Sequence, residues 1–224
     1  MNNFSRIKPL KLSSKEHGIY FVSDLHFGHS DIIKFCNRPY QSAEEMDEAL
    51  TANWNSVVKK DDTVFDLGDF AFAPDWRWKE LLGRLNGHHI LIIGNHDRSE
   101  YPGDSVMELF ERIETEMLLE IDEHQVYLNH FPFLCYAGSY RNAGTATIQL
   151  FGHVHSGPRV GGKDKDRLAW LFPNQYDVGV DNNNYMPVSW QQVLKKIKEQ
   201  TTSMPIITAP IISEHTIPDE VYVS

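Results

Sequence analysis

The sequence is poor in cysteine. Cys36 and Cys135 are the only two among 224 residues, they lie far apart, and no C-x-x-C pair exists. That argues against a disulfide framework and against a zinc site built from thiolates; two free thiols in a reducing compartment are expected. Long apolar runs are missing too. No stretch approaches the roughly 18 apolar residues that cross a bilayer. The opening residues, MNNFSRIKPLKLSSKEHG, hold no apolar core of a secretory leader. A cytoplasmic protein with no membrane partner is the expectation. Positive charge is scarce: 21 Lys and Arg stand against 31 Asp and Glu, for a net charge of −10. Such a chain is poorly suited to gripping long nucleic acid by counterion release. A small nucleotide, a strand end or a substrate held through metal ions stays open. Internal repeats and low-complexity segments are also lacking.

What is present reads as a globular protein, with 41% hydrophobic and 23% charged residues. The length suits one domain, expected over residues 1–200. Residues 201–224 differ: Pro205, Pro210 and Pro218 punctuate two Ile-Ile pairs, and an extended or irregular tail is expected. Short β-branched and aromatic runs predict strands over 18–24, 61–69, 88–95, 123–130, 147–153 and 176–181. Helical patterns fall over 42–60, 75–87 and 189–200. Ser42 followed by Glu45 is a capping-box signal. Met46, Leu50, Trp54 and Val57 share one helical face, and Gly87 is expected at a helix C-cap. Strands alternating with helices, then strands in succession, predict α/β or α+β layers.

A pattern repeats along the chain: an apolar strand, then a turn holding Asp, His or Asn. It reads SDLHFGH at Asp24 and His26, LGDF at Asp69, and GNHD at Asn95 and His96. It returns as NHF at His130 and FGHVH at His153 and His155. Each instance alone has a bland explanation, such as a capped turn or a satisfied core histidine. Five in a row, each at a strand end, are harder to dismiss. In α/β proteins strand C-termini line one edge of the sheet, where ligands bind. Asp, His and Asn donors suit divalent Mn, Fe, Co, Ni or Zn. The D-x-H and H-x-H spacings place both side chains on one side of an extended segment. Each pair can then grip one ion or divide between two.

Taken in order, DLH, GD, GNHD, H and GHVH resemble the calcineurin-like metallophosphoesterase superfamily, from Asp24 to His155. The stretch SDLHFGHSDIIKFCNRP is similar to small stand-alone phosphoesterases of bacteria and their phages. The resemblance implies an αββα sandwich, two mixed β-sheets flanked by helices, with metals at the strand ends. It implies a first ion on Asp24, His26 and His155, a second on Asn95, His130 and His153, and Asp69 bridging them. His96 would bind no metal and would face the substrate as general acid. The implied reaction is hydrolysis of a small phosphomonoester or phosphodiester, with nucleotides and cyclic nucleotides among the candidates. A hydroxide bridging two divalent ions (Mn, Fe, Zn, Co or Ni, with Mn favoured) would attack phosphorus.

The chain departs from the serine/threonine phosphatase branch in one respect. GDFAFAP lacks the acid that there orients the catalytic histidine. Asp97 or Asp66 are the substitutes at hand, although Asp97 reads first as a turn or capping residue. Candidates for gripping substrate are His29, Arg38, Arg141 and Arg159, since an Arg fork matches phosphate oxygens. Phe35, Tyr40 and Tyr140 are available to stack a base, although aromatics near strand ends usually belong to a core. The segment GGKDKDR, 161–167, reads as a polar hairpin or loop. Two alternatives remain: a metal-dependent nuclease on nucleic-acid ends, and a catalytically silent scaffold of the same fold. The acidic charge counts against the first and the intact residue set against the second.

Overall fold

Alternation along the strands decides how the layers stack. The computed structural model describes residues 9–99, 102–141, 145–160, 168 and 171–203. Strand β2 (Ile19–Val22) pairs in parallel with β3 (Thr63–Asp66), and β3 with β4 (His88–Ile92). Ile19, Phe21, Phe65, Ile90 and Ile92 join one buried apolar cluster, whereas Val22, Val64 and Leu91 join another. Successive side chains of these strands thus face opposite layers, as period-2 geometry requires.

The first sheet is completed by β5 (Arg112–Glu114) beside β4 and by β10 (Val188–Ser189), antiparallel to β2. The second sheet runs β1 (Leu10–Leu12), β6 (Glu116–Ile121), β7 (His124–Asn129), β8 (Ile148–Phe151) and β9 (Gln175–Asp177). Only its β6–β7 pair is antiparallel. Leu119, Ile121, Val126, Leu128, Ile148 and Leu150 of this sheet share a cluster with Phe21, Phe65 and Ile92 of the first. The two five-stranded mixed sheets therefore pack face to face.

Helices flank them. The other face of the first sheet carries α1 (Ser30–Phe35), α2 (Ala43–Val57) and α3 (Asp75–Arg84), through Ile32, Met46, Leu50, Trp54, Trp78 and Leu81. Each such large apolar side chain, fully buried, contributes about 1.5–3 kcal/mol. Helix α6 (Trp190–Ser203) lies against β9, β10 and β2, with Trp190 and Val193 in the intersheet cluster. Two short helices, α4 (Asn95–Ser99) and α5 (Asp104–Met107), separate β4 from β5. No described helix is long and apolar enough to cross a membrane.

Several boundaries shift from the sequence expectation. Ser42 does cap α2, accepting the Glu45 amide at 3.2 Å. The Glu45 carboxylate reaches back to the Gln41 amide at 2.7 Å, one residue earlier than a full capping box. Met46, Leu50 and Trp54 are buried and Val57 half-buried. Gly87 is not the cap of α3, which ends at Arg84 with Leu85 as C-cap. Gly87 instead turns the chain into β4 with a left-handed φ of 105°. The expected tail begins inside a helix, since α6 continues to Ser203, and 204–224 lie outside the described residues, as do 161–167.

Candidate metal centre

Because β2, β3 and β4 run parallel, their C-terminal ends share one edge; β7 and β8 are parallel as well. The loop after each of the five carries one of the repeated polar motifs. Backbone bonds tie these loops together. The Asp24 amide donates to Gly68 O at 2.9 Å, His26 N to Asp69 O at 2.9 Å, and Gly152 N to His130 O at 2.9 Å. Gly94 fits only as glycine: a Cβ there would stand 2.3 Å from Asp69 Oδ1 and 2.6 Å from Asp69 N.

The expectation of an extended D-x-H and H-x-H is corrected by the backbone. Asp24, His26, Asp69, His153 and His155 all have left-handed φ, between 44° and 70°. The side chains converge because the chain coils, not because a pleat repeats. Non-glycine residues in this region each cost about 1–3 kcal/mol and cluster where function over-determines the fold.

The coiling gathers two sets of donors. The ligand atoms of Asp24, His26 and His155 lie within 4.8 Å of one another, and so do those of Asp69, His130 and His153. Asp69 stands between the sets: its Oδ2 is 3.6 Å from His26 Nε2 and 3.5 Å from His130 Nε2. The Asn95 amide oxygen lies 3.0 Å from the same His130 nitrogen. His130 Nδ1 donates to Leu67 O at 2.7 Å, and His155 Nδ1 to Asp181 Oδ2 at 2.7 Å. With Nδ1 so engaged, Nε2 of each ring is turned toward the carboxylates, the usual arrangement behind a metal-ligating imidazole.

One observation tests whether these residues fit divalent ions. His26 Nε2 is buried with no hydrogen-bond partner, although it faces Asp69. An orphaned nitrogen in such a place is costly unless something binds it. Nitrogen and oxygen donors in two overlapping sets suit borderline divalent cations, so the residues fit. Electrostatics agree. Burial and then the neighbouring His155 and Arg38 push His26 well below the ordinary histidine range. Burial also disfavours a charged His155, yet Asp24 and the Asp181 hydrogen bond outweigh it and hold the group up at about 11. For His130 burial is outweighed by Asp69 and Asp24, which raise it. The carboxylates thus favour positive charge at His130 and His155, while burial keeps it off His26.

His96 sits at the mouth with 38% of its side chain exposed, its Nε2 4.0 Å from Asp69 Oδ2. Its backbone amide donates to Asp69 Oδ1 at 2.9 Å. The ring lies 5.3 Å from that of His26 and 5.4 Å from Phe72. His29 joins this rim, stacked on Phe72 at 4.5 Å, with Nδ1 3.2 Å from that of His26.

The arginines fare differently. Arg38 does not reach toward a substrate: it is buried and committed to Asp181 and to the backbone carbonyls of Asp24 and Leu25. Arg141 and Arg159 are exposed on the loops after β7 and β8. Of the aromatics, Phe35 and Tyr140 are exposed and Tyr40 packs against Tyr185. Phe131, which drew no attention in the sequence, lies edge-on to His130 and His153 at 4.9 and 4.7 Å.

Asp97 and Asp66 brace the loops. Asp97 accepts the amides of Asp69 (2.8 Å), Phe70 (3.0 Å) and Gly94 (2.8 Å), the capping role that its sequence position suggested. Asp66 accepts Gly68 N at 2.9 Å, and burial, then Asp97, pushes its carboxyl well above the ordinary range. Sequence reasoning missed Asp177 and Asp181, inside a stretch read only as a strand. Asp177 holds the amide and hydroxyl of Ser156 and the Gly179 amide. Two acids four residues apart in YDVGVD were the available signal.

No family model matches the chain. The uncharacterized protein MJ1445 of Methanocaldococcus jannaschii is 33% identical over 185 residues, covering 81% of this chain and 92% of that protein. The chain belongs to the family of that archaeal protein. The gene 66 protein of Mycobacterium phage L5 is 31% identical over 163 residues, 61% of this chain and 77% of the phage protein. Among solved structures, the protein of unknown function AQ665 from Aquifex aeolicus superposes with a TM-score of 0.61. It is 26% identical, over 80% of this chain and 98% of its own. None of the three is named for an activity, so the reaction is argued from the site.

Proposed function

We propose that the chain is a metal-dependent phosphoesterase acting on a small phosphomonoester or phosphodiester, nucleotides and cyclic nucleotides included. The observation that carries this is Asp69, whose Oδ2 lies about equally near His26 and His130, one from each donor set. In this reading Asp24, His26 and His155 hold one divalent ion, and Asn95, His130 and His153 another. Asp69 serves both, and manganese is the favoured metal. When bound, such ions polarise phosphoryl oxygens, lower the pKa of water toward neutrality and reverse the local field of an acidic protein.

The chain's own groups do the rest. His96 stands at the exposed rim, and the hydrogen bond from its backbone amide to Asp69 fixes its distance from the shared carboxylate. From there Nε2 can give a proton to the leaving oxygen, a step typically worth about 10²–10⁴ in rate. Phe72 walls the far side of His96 and holds His29 parallel to itself, which gives the substrate phosphate a second imidazole. Phe131 lines the opposite flank against His130 and His153. Arg141 and Arg159, both exposed, are available to a more distant part of the substrate.

The test is hydrolysis of phosphate diesters by manganese-loaded protein and by His96→Ala. The variant is expected to keep its ions and to lose about 10²–10⁴ of turnover with an alkyl leaving group. With a nitrophenyl leaving group the loss should be smaller, because little acid help is needed. Equal losses on both would remove His96 from the general-acid role. Activity confined to single-stranded DNA or RNA would overturn the small-substrate reading in favour of a nuclease.

A further inference from the structure

Arg38 lies on the turn after α1, outside the repeated motifs in sequence, and its guanidinium is fully buried. Nε and one terminal nitrogen each donate to a separate oxygen of Asp181 at 2.9 Å. That terminal nitrogen also meets Asp24 O at 2.7 Å, and the other meets Leu25 O at 2.8 Å. Asp181 Oδ2 accepts in addition from His155 Nδ1. One guanidinium and one carboxylate therefore connect the backbone of Asp24 to the ring of His155.

We propose that Arg38 and Asp181 are positioning residues for the Asp24–His26–His155 donor set, selective for that set over the other. The proposal rests on the reading of that set as an ion site. The left-handed turns at Asp24 and His26 direct the Asp24 and Leu25 carbonyls inward, where each needs a donor. A planar fork meets both carbonyls and a carboxylate together, which the point charge of lysine cannot do. Asp181 in turn holds the His155 ring with Nε2 toward Asp24. The other donor set is held by different means: His130 by the Leu67 carbonyl and the Asp69 amide by Asp97. The His130 ring is thus held without Arg38 or Asp181, and the link between the sets runs instead through the Asp24 carboxylate, which accepts the His153 amide at 2.9 Å.

A competing role exists for the same residues. Cys36, His155 and Asp181 also bring ligand atoms within 4.8 Å of one another. Both Asp181 oxygens already accept from Arg38, so a cation there would meet a guanidinium rather than free lone pairs. That geometry favours support over a third ion.

The experiment is calorimetric titration of chelator-treated full-length protein with Mn²⁺ alone. Wild type should show two binding events. Asp181→Asn should weaken one of them about 10- to 100-fold and leave the other unchanged, while its ion-free form melts lower because the buried Arg38 loses its counter-charge. Arg38→Lys should do the same. Should either single variant fail to fold, Arg38→Met/Asp181→Leu removes both buried charges together and carries the same expectation. Equal weakening of both events, or of neither, overturns the proposal. A wild-type protein that takes up no manganese overturns this proposal and the phosphoesterase reading together. Two normal events in wild type and in every folded variant overturn this proposal alone.

Discussion

The carboxylate of Asp97 accepts the backbone amide of Asp69 at 2.8 Å, and with it the amides of Phe70 and Gly94. Two motif loops, after β3 and β4, are stitched by this one buried side chain. Asp97→Asn keeps the shape but presents an NH₂ to donors. The loss of one or two such bonds should cost about 1–3 kcal/mol. For a chain of this size that lowers the melting temperature by about 2–4 °C per kcal/mol. A thermal melt checks it, and an unchanged melt would contradict the bracing role.

Gly94→Ala tests how closely those loops meet. The added methyl would lie 2.3 Å from Asp69 Oδ1 and 2.6 Å from Asp69 N. Backbone must shift, at about 1–3 kcal/mol for overpacking, and the shared carboxylate shifts with it. Both the melting temperature and manganese affinity should fall. A variant that melts and binds as wild type does would mean that the loops have slack.

The pH dependence of stability has a contribution far from the cleft. His89 is buried against Trp54, and burial lowers its pKa from 6.5, only partly offset by a hydrogen bond to Leu85 O. The folded state then binds this proton less readily than the unfolded chain. His89 is therefore neutral, and its full contribution to stability present, above about pH 6.5. That contribution is lost as pH falls from there toward the lower folded value. In denaturant titrations between pH 7 and pH 5, His89→Phe should lose less stability than wild type. A steeper loss in the variant would reverse the assigned shift.

The residues of the cleft were legible because their types are rare in combination and recur at strand ends. Asp24, His26, Asp69, Asn95, His130, His153 and His155 lie where five loops meet, and His96 and His29 face the same opening. The conformation that brings them together was not legible. An Asp-x-His looks extended by spacing, and nothing local announces left-handed backbone at Asp24 and His26. Nor was Arg38 separable from a surface arginine, because its partner Asp181 lies 143 residues away. Of the fold, strands β2, β3, β4, β7, β8 and β9 and helices α2, α3 and α6 were readable. Short β1, β5 and β10 and the charged β6 take their pairing from neighbours distant in sequence.

The central claim is that Asp69 is shared by two ion sites. Metal analysis of manganese-reconstituted wild type and Asp69→Asn tests it most directly. Wild type should retain close to two ions per chain after desalting, and Asp69→Asn should lose both together. Loss of a single ion from the variant, or no ion in wild type, would contradict the account.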